Sequence, residues 1–207
     1  MQTTLLRQLQ RISWMMAAVG MLFLGGAEQA MGTFLNNYAY QFGTGAPTDM
    51  TIDTALVMDG NGSLNIDDGY SQIKDIGFTF YLDGTSYTKF RAGVNGTIGL
   101  GNSTTVNINS TFSNSLSSTT GNPVIAAWWD DQHMTLNAAS TATSKISYLV
   151  TGTAPNRVLT IQWRVGAYPS GTSVVPYEYQ VRLFERSDMI DFVYINMPTT
   201  TSRSASI

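Results

Sequence analysis

The segment Ile76-Gly77-Phe78-Thr79-Phe80-Tyr81-Leu82 alternates between apolar and other side chains. Successive side chains of a β-strand point to opposite faces, so the isoleucine, the two phenylalanines and the leucine would share one apolar face. The same period of two recurs at residues 159–165 and 190–194, and no segment beyond residue 30 has convincing helical spacing. Past its first thirty residues, the chain is therefore predicted to be a β protein.

Short turn sequences separate the predicted strands. Asp83-Gly84 and Asn95-Gly96 are typical of tight hairpins, and residues 152–156 form a longer turn sequence. Hairpin-linked strands with one apolar face form antiparallel sheets, and two such sheets must cover each other. We therefore predict an all-β fold, an antiparallel two-sheet sandwich of jelly-roll type with nine or more strands; a closed barrel is the alternative. Further strands are expected at residues 87–94, 97–100, 124–128, 145–150 and 177–185.

The beginning of the chain follows a different pattern. Residues 1–11 carry Arg7 and Arg11 and no acidic residue, residues 12–26 are predominantly apolar, and small residues end at Ala27. A basic region, an apolar region and a small-residue cleavage site are typical of a secretory signal. We predict a signal helix at residues 1–27, with an uncleaved N-terminal anchor as the alternative, and a single β-sandwich domain at residues 28–207.

Composition narrows the class of protein. Of the 207 residues, 12% are charged, the formal net charge is −3 and there is no cysteine. No basic block offers a surface for nucleic acid, and structural zinc of the common thiolate kind is impossible. Export without cysteine is more typical of bacteria than of animals. We expect a secreted bacterial protein, extracellular or on the outer cell surface, with no membrane span after signal removal.

Six short motifs follow one another in a fixed order. They are IGFTF at 76–80, GTSYTKF at 84–90, NGTIGLG at 95–101, IAAWWDD at 125–131, GTAPNR at 152–157 and YQVRLFE at 179–185. In this order, across residues 36–207, they resemble a β-sandwich module of secreted bacterial proteins, and that module looks like a distant relative of the extracellular nidogen-type domain. The resemblance implies a noncatalytic module near the start of larger cell-surface or adhesive proteins. In that pattern residues 204–207 would begin another strand, so we expect the chain to be truncated at its C-terminal end.

Side chains capable of chemistry are concentrated in one short stretch, which contains Trp128, Trp129, Asp130, Asp131 and His133. Adjacent strand residues point to opposite faces, so the two carboxylates do not face one gap as a glycosidase pair must. They would instead bond to loop backbone or, with the imidazole, hold a divalent cation. One tryptophan is expected in the core. The other, exposed or covered by a loop, is a candidate for stacking on a sugar.

Residues 59–69 form a second acidic stretch, with oxygen-bearing side chains at alternate positions as in calcium loops. An EF-hand loop needs glycine and glutamate where this chain has Leu64 and Tyr70. Asp59, Asp67 and Asp68 are therefore candidates for a nonstandard calcium site, and a turn-rich hairpin loop is the alternative. No other cofactor is expected, because the chain has no glycine-rich phosphate loop.

One primary and two alternative hypotheses of function follow. The first is a noncatalytic structural or adhesion module that contacts an extracellular protein or glycan surface, or assembles with copies of itself through exposed edge strands. In this hypothesis no residue is catalytic. The second is a lectin-like carbohydrate-binding module that uses Trp128 or Trp129 with Asp130 and Asp131, assisted by calcium. The third is a secreted hydrolase centred on His133 and its neighbouring acids.

Overall fold

Eleven β-strands and no helix occur in the part of the chain that the structure describes. The computed structural model describes residues 39, 41–56, 66–108, 123–169, 171–197 and, for the backbone alone, 204–206. The predicted signal helix lies outside these residues and stays a prediction. All strands belong to the unit Thr44–Ile207. They are β1 (Thr54–Ala55), β2 (Lys74–Leu82), β3 (Thr85–Ala92), β4 (Thr97–Gly101), β5 (Val124–Trp129), β6 (Gln132–His133), β7 (Lys145–Thr151), β8 (Val158–Ala167), β9 (Tyr177–Phe184), β10 (Ile190–Asn196) and β11 (Ser204–Ser206).

The strands form two antiparallel sheets. Sheet I has the order β1-β7-β8-β9-β10, with β6 also paired to β8, and sheet II has the order β11-β5-β4-β3-β2. The three turn sequences each join neighbouring antiparallel strands: β2 to β3, β3 to β4 and β7 to β8. The predicted all-β, antiparallel two-sheet fold is confirmed, and the sheets do not close into a barrel.

Inward-facing apolar side chains of β2 and β8 form much of the core, and burial alternates strictly along β2. In β2 the four apolar residues of the opening motif are buried, whereas Gly77, Thr79 and Tyr81 are exposed. In β8 the side chains of Leu159, Ile161 and Trp163 are fully buried. Burying a large apolar side chain stabilises the fold by about 1.5–3 kcal/mol, so these inward faces hold the two sheets together.

Two of the hydrogen bonds that cross between the sheets lie within or next to the core. The indole Nε1 of Trp163, in β8, donates to the carbonyl of Gly93, just after β3, at 2.9 Å. The hydroxyl of Tyr194, in β10, donates to the carbonyl of Ala127, in β5, at 2.7 Å. Because a buried polar group without a partner is costly, these bonds fix which parts of the two sheets face each other.

Replacing the indole at position 163 tests this account. We expect Trp163→Phe to lower the free energy of unfolding by about 1–3 kcal/mol, because the carbonyl of Gly93 loses one of its two donors and the core loses volume. Urea unfolding followed by circular dichroism measures the change. Tyr168→Phe, at an exposed aromatic residue, is the control and should stay within about 0.5 kcal/mol of the wild type. Equal stability of Trp163→Phe and the wild type would contradict the role assigned to this bond.

Candidate functional site

Polar side chains from three loops meet at one end of the sandwich. Two of the loops precede β2 and join β3 to β4; the third follows β5 and leads into β6, the two-residue strand Gln132–His133. The amide Nδ2 of Asn95 donates to Asp68 Oδ1 at 2.8 Å, and its Oδ1 accepts the backbone N–H of Gln132 at 2.8 Å. Asn95 therefore ties the other two loops together. We name this group of residues the end cluster; it comprises Asp67, Asp68, Asn95, Asp131, Gln132 and His133.

Gln132 fastens the end cluster to the aromatic core. Its Nε2 donates to the carbonyl of Trp128 at 2.8 Å, and its Oε1 accepts the hydroxyl of Tyr179 at 2.9 Å. Burial raises the pKa of the Tyr179 hydroxyl well above its ordinary value, so this group remains a neutral donor. The ring of Tyr179 stacks on Trp163 with centroids 5.1 Å apart. The buried hydrogen bond between Tyr179 and Gln132 therefore joins the end cluster to the apolar core.

Gly96 allows the β3–β4 turn to lie against this contact. Its φ is +80°, a conformation that glycine adopts without steric cost. A Cβ at this position would overlap the carbonyl of Trp128 and lie 2.7 Å from Nε2 of Gln132. The turn predicted from Asn95-Gly96 thus has a packing function that its sequence pattern alone does not reveal.

Both candidate tryptophans are buried. Trp129 is 1% exposed, as expected for a core residue, and Trp128 is 6% exposed. The ring of Trp128 stacks in parallel on Tyr177 with centroids 5.6 Å apart. Every residue of β5 is buried, because this strand is covered on both faces. Neither ring offers an open surface for a sugar in this conformation, and sugar binding at these residues stays a prediction.

The structure brings together acids that sequence reasoning treated as two separate candidates. Asp131 lies close enough to Asp67 and Asp68 for their charges to interact. Burial raises the pKa of the Asp131 carboxyl, these two negative charges raise it further, and His133 opposes the shift. The end cluster is therefore an acidic site in which the ionised form of Asp131 is disfavoured.

The calcium prediction is not decided by this geometry. Within the described ranges, no group of three or more His, Cys, Asp or Glu side chains is arranged to hold a metal ion. Asp59 lies outside those ranges, and Asp130 is half-buried beside the end cluster. Calcium binding through Asp59, Asp67 or Asp68 therefore stays a prediction.

His133 has a structural contact at the end of β6. Its side chain is 8% exposed, and its Nδ1 accepts the backbone N–H of Thr135 at 2.9 Å. The backbone of His133 pairs with Gly166 in β8. One of the two ring nitrogens is thus engaged in closing the turn after β6, and the hydrolase hypothesis gains no geometric support from it.

Sequence reasoning missed a second polar region, on the outer face of sheet I. Residues 47–51 cross this face beside a groove of about 470 Å³. The alternation in β8 and β9 does signal polar outward positions, but the irregular segment that crosses them has no periodicity from which it could be placed. The side chains that reach the groove from sheet I include Lys145, Gln162, Arg164, Glu178 and Gln180.

Residues 47–51, the crossing segment, are held by hydrogen bonds to their backbone, as a strand is held by its neighbour. Gln180 Oε1 accepts the backbone N–H of Thr48 at 2.9 Å, and its Nε2 donates to the carbonyl of Thr48 at 2.8 Å. This side-chain amide therefore satisfies one donor and one acceptor of the backbone, as a neighbouring peptide group does in a sheet. The same Nε2 also donates to Gln162 Oε1 at 2.6 Å, so the segment is tied into a row of amides.

Two ion pairs within the chain lie at this groove. Lys145 contacts Asp53 at 2.7 Å, and Arg164 lies 3.4 Å from Glu178. Burial raises the pKa of Asp53, but the hydrogen bond from Lys145, the neighbouring Ser147 side chain and the charges of Lys145 and Arg164 lower it overall. The groove is consequently a polar surface with balanced charge.

Fold and site together define an antiparallel β-sandwich domain with one hydrogen-bonded polar end. A family model described as NIDO related matches residues 37–207, and the chain belongs to this nidogen-related family. The resemblance based on the six motifs is confirmed, and membership indicates an extracellular domain. No curated protein and no solved structure gives a match. Among the described residues, none forms a helix of sufficient length and apolarity to cross a membrane.

Truncating Gln132 tests how the end cluster is fastened. In Gln132→Ala the carbonyl of Trp128 and the hydroxyl of Tyr179 lose a buried partner, which costs roughly 1–3 kcal/mol for each group. We expect the free energy of unfolding, measured by urea titration, to fall by about 2–5 kcal/mol. Gln72→Ala, at an exposed position, should change it by less than about 0.5 kcal/mol. Similar values for both variants would show that the Gln132 bonds contribute little.

Removing the charge of Asp131 should stabilise the protein at neutral pH. Because its pKa is raised in the folded state, the ionised carboxylate costs free energy above that pKa, and the cost disappears as the pH falls and the group is protonated. We expect Asp131→Asn to melt about one or two degrees above the wild type at pH 7. This difference should shrink in thermal scans at progressively lower pH. Asp49→Asn, at an exposed carboxylate, is the control; a gain independent of pH would refute the electrostatic explanation.

Proposed function

We propose that the chain is a noncatalytic extracellular module with a structural or adhesive role at the outer cell surface. This proposal rests on one observation: the polar side chains of the end cluster form hydrogen bonds that hold loops and core together. Asn95 joins two loops, Gln132 joins a loop to the core, and His133 closes a turn. Side chains engaged in this way favour a rigid scaffold over one that must rearrange during turnover. Membership of an extracellular family supports the same role.

A surface contact between the sheets supports a structural role. Arg157, just before sheet I's β8, forms an ion pair with Glu185 and also donates to the carbonyl of Gly77 in sheet II. The bond from Arg157 lowers the pKa of the Glu185 carboxyl. A cation held beside one sheet and bonded to the other links the two sheets at the surface, which suits a rigid structural module.

The surface chemistry favours a polar partner. The groove on sheet I presents amides and balanced ion pairs, which match the polar surface of an extracellular protein or glycan better than a highly charged polymer. The buried rings of Trp128 and Trp129 do not favour the lectin-like alternative. The contact of His133 with Thr135 likewise does not favour a hydrolase.

A surface-binding assay tests the proposed role. The purified chain is applied to immobilised extracellular matrix proteins, a glycan array with and without calcium, and isolated cell envelopes. We expect saturable retention of the folded chain on at least one surface, lost after heat unfolding and unchanged in His133→Ala. Absence of binding to every surface, combined with absence of assembly, would contradict the structural or adhesive role. A hydrolytic activity abolished by His133→Ala would contradict its noncatalytic character.

A further inference from the structure

Among the described strands, four stand at the ends of the two sheet orders, besides the two-residue β6 that pairs only with β8, and three of these four carry protective features. β1 has two residues and β11 has three, which is too short to pair with another chain at length. β2 is long, but its register shifts around Gly77, where φ is +92°. Its outer backbone groups also meet side chains from sheet I: Arg157 at the carbonyl of Gly77, and Asp188 at the N–H of Tyr81.

β10 is the unprotected edge. Its seven residues include no Lys, Arg, Pro or Gly, and residues 190–194 pair with β9 in regular register. The structure describes no strand along its other side. On β9 the inward side chains of Tyr179, Val181 and Leu183 are fully buried. Their partners on β10 are only half-buried, and one of them, Tyr194, is 48% exposed. The apolar core is therefore open to solvent along this strand. The three pairs are Leu183 with Ile190, Val181 with Phe192, and Tyr179 with Tyr194.

We propose that β10 pairs in antiparallel fashion with β10 of a second copy of this chain. The pairing joins the two copies of sheet I into one continuous sheet across a two-fold axis, and it covers the open part of the core. This inference rests on the proposed structural role and makes its self-assembling form specific. An isologous contact needs a self-complementary strand, and the register of β10 provides one.

The pairing of β10 with β9 determines which backbone N–H and C=O groups of β10 are available to a second copy. Phe184 donates its N–H to the carbonyl of Met189 at 3.1 Å, so Met189 faces β9. In an antiparallel ladder alternate residues face the same neighbour, so Asp191 and Val193 also face β9. The N–H and C=O groups of Ile190, Phe192 and Tyr194 therefore point to the free edge.

Pairing centred on Phe192 involves only residues 190–194, whose register with β9 is regular. It avoids the register shift between Tyr194 and Asn196. Ile190 then lies opposite Tyr194 of the second copy, and about six backbone hydrogen bonds form. On the outer face Asp191 lies opposite Val193 of the second copy, so no two carboxylates oppose each other. A register centred on Asp191 would place like charges opposite each other, which is unfavourable. Within each copy Asp191 is already paired with Arg182 at 3.0 Å.

The proposed register makes a charge-specific prediction for position 193. Sedimentation equilibrium of the full chain should reveal a reversible dimer. Val193→Asp opposes two pairs of carboxylates across the two-fold axis, so its dissociation constant should rise roughly tenfold. Val193→Lys places an ammonium group opposite each Asp191, so its dimer should be at least as tight as that of the wild type. Thr79→Asp adds the same charge to the protected β2 edge and should leave the constant unchanged.

Hydrogen exchange on the wild type gives a second measurement that needs no variant. The amides of Ile190, Phe192 and Tyr194 should gain protection as the protein concentration rises through the dimer range, whereas that of Thr79 should not. A chain that remains monomeric, a dimer equally tight in both Val193 variants, or unprotected β10 amides in a dimer would each overturn the inference. A monomer that still binds a surface would overturn the β10 pairing alone and leave the proposed adhesive role standing.

Discussion

The hydrogen bond from the buried hydroxyl of Tyr179 to Gln132 is the contact on which the rest of the arrangement depends. The ring of Tyr179 lies in sheet I and stacks on both Trp163 and Trp128, so it is part of the core between the sheets. A phenol placed there must have a polar partner, since leaving it unpaired costs about 1–3 kcal/mol. Gln132 supplies that partner, which places the loop after β5 and, through Asn95, the turn between β3 and β4.

The parts of the fold predictable from sequence are those with a local signal. Alternation predicted residues 76–82 as a strand, and β2 covers Lys74–Leu82. Asp83 and Gly84 both adopt positive φ, as their hairpin sequence predicts. The short strands β1 and β6 lack such a signal, because two residues cannot display a period. Alternation left open whether the second tryptophan of the pair 128–129 is exposed or covered by a loop, because a period of two does not show that both faces of β5 are covered.

The candidate site was only partly predictable, because its geometry depends on contacts distant in sequence. Residues 59–69 and 128–133 each carry a visible acidic pattern, but nothing local indicates that Asp67 and Asp68 lie near Asp131. The loop before β2 is brought there by Asn95, a residue whose sequence context predicts a turn and nothing more. The groove on sheet I was missed for the same reason, since Gln180 binds Thr48 across 132 positions of sequence.

The edge strands of the two sheets differ in how well their outer backbone groups are covered, and this difference limits the kind of assembly that the fold can form. Arg157 and Asp188 reach from sheet I to the outer backbone of β2, so the contacts that hold the sheets together also close that edge. One long edge then remains open among the described strands. An isologous contact through a single edge uses the same surface on both copies, and it therefore closes at two. Growth into a filament would need a second, different contact. The end cluster and the groove on sheet I are two surfaces that the β10 pairing leaves free for such a contact.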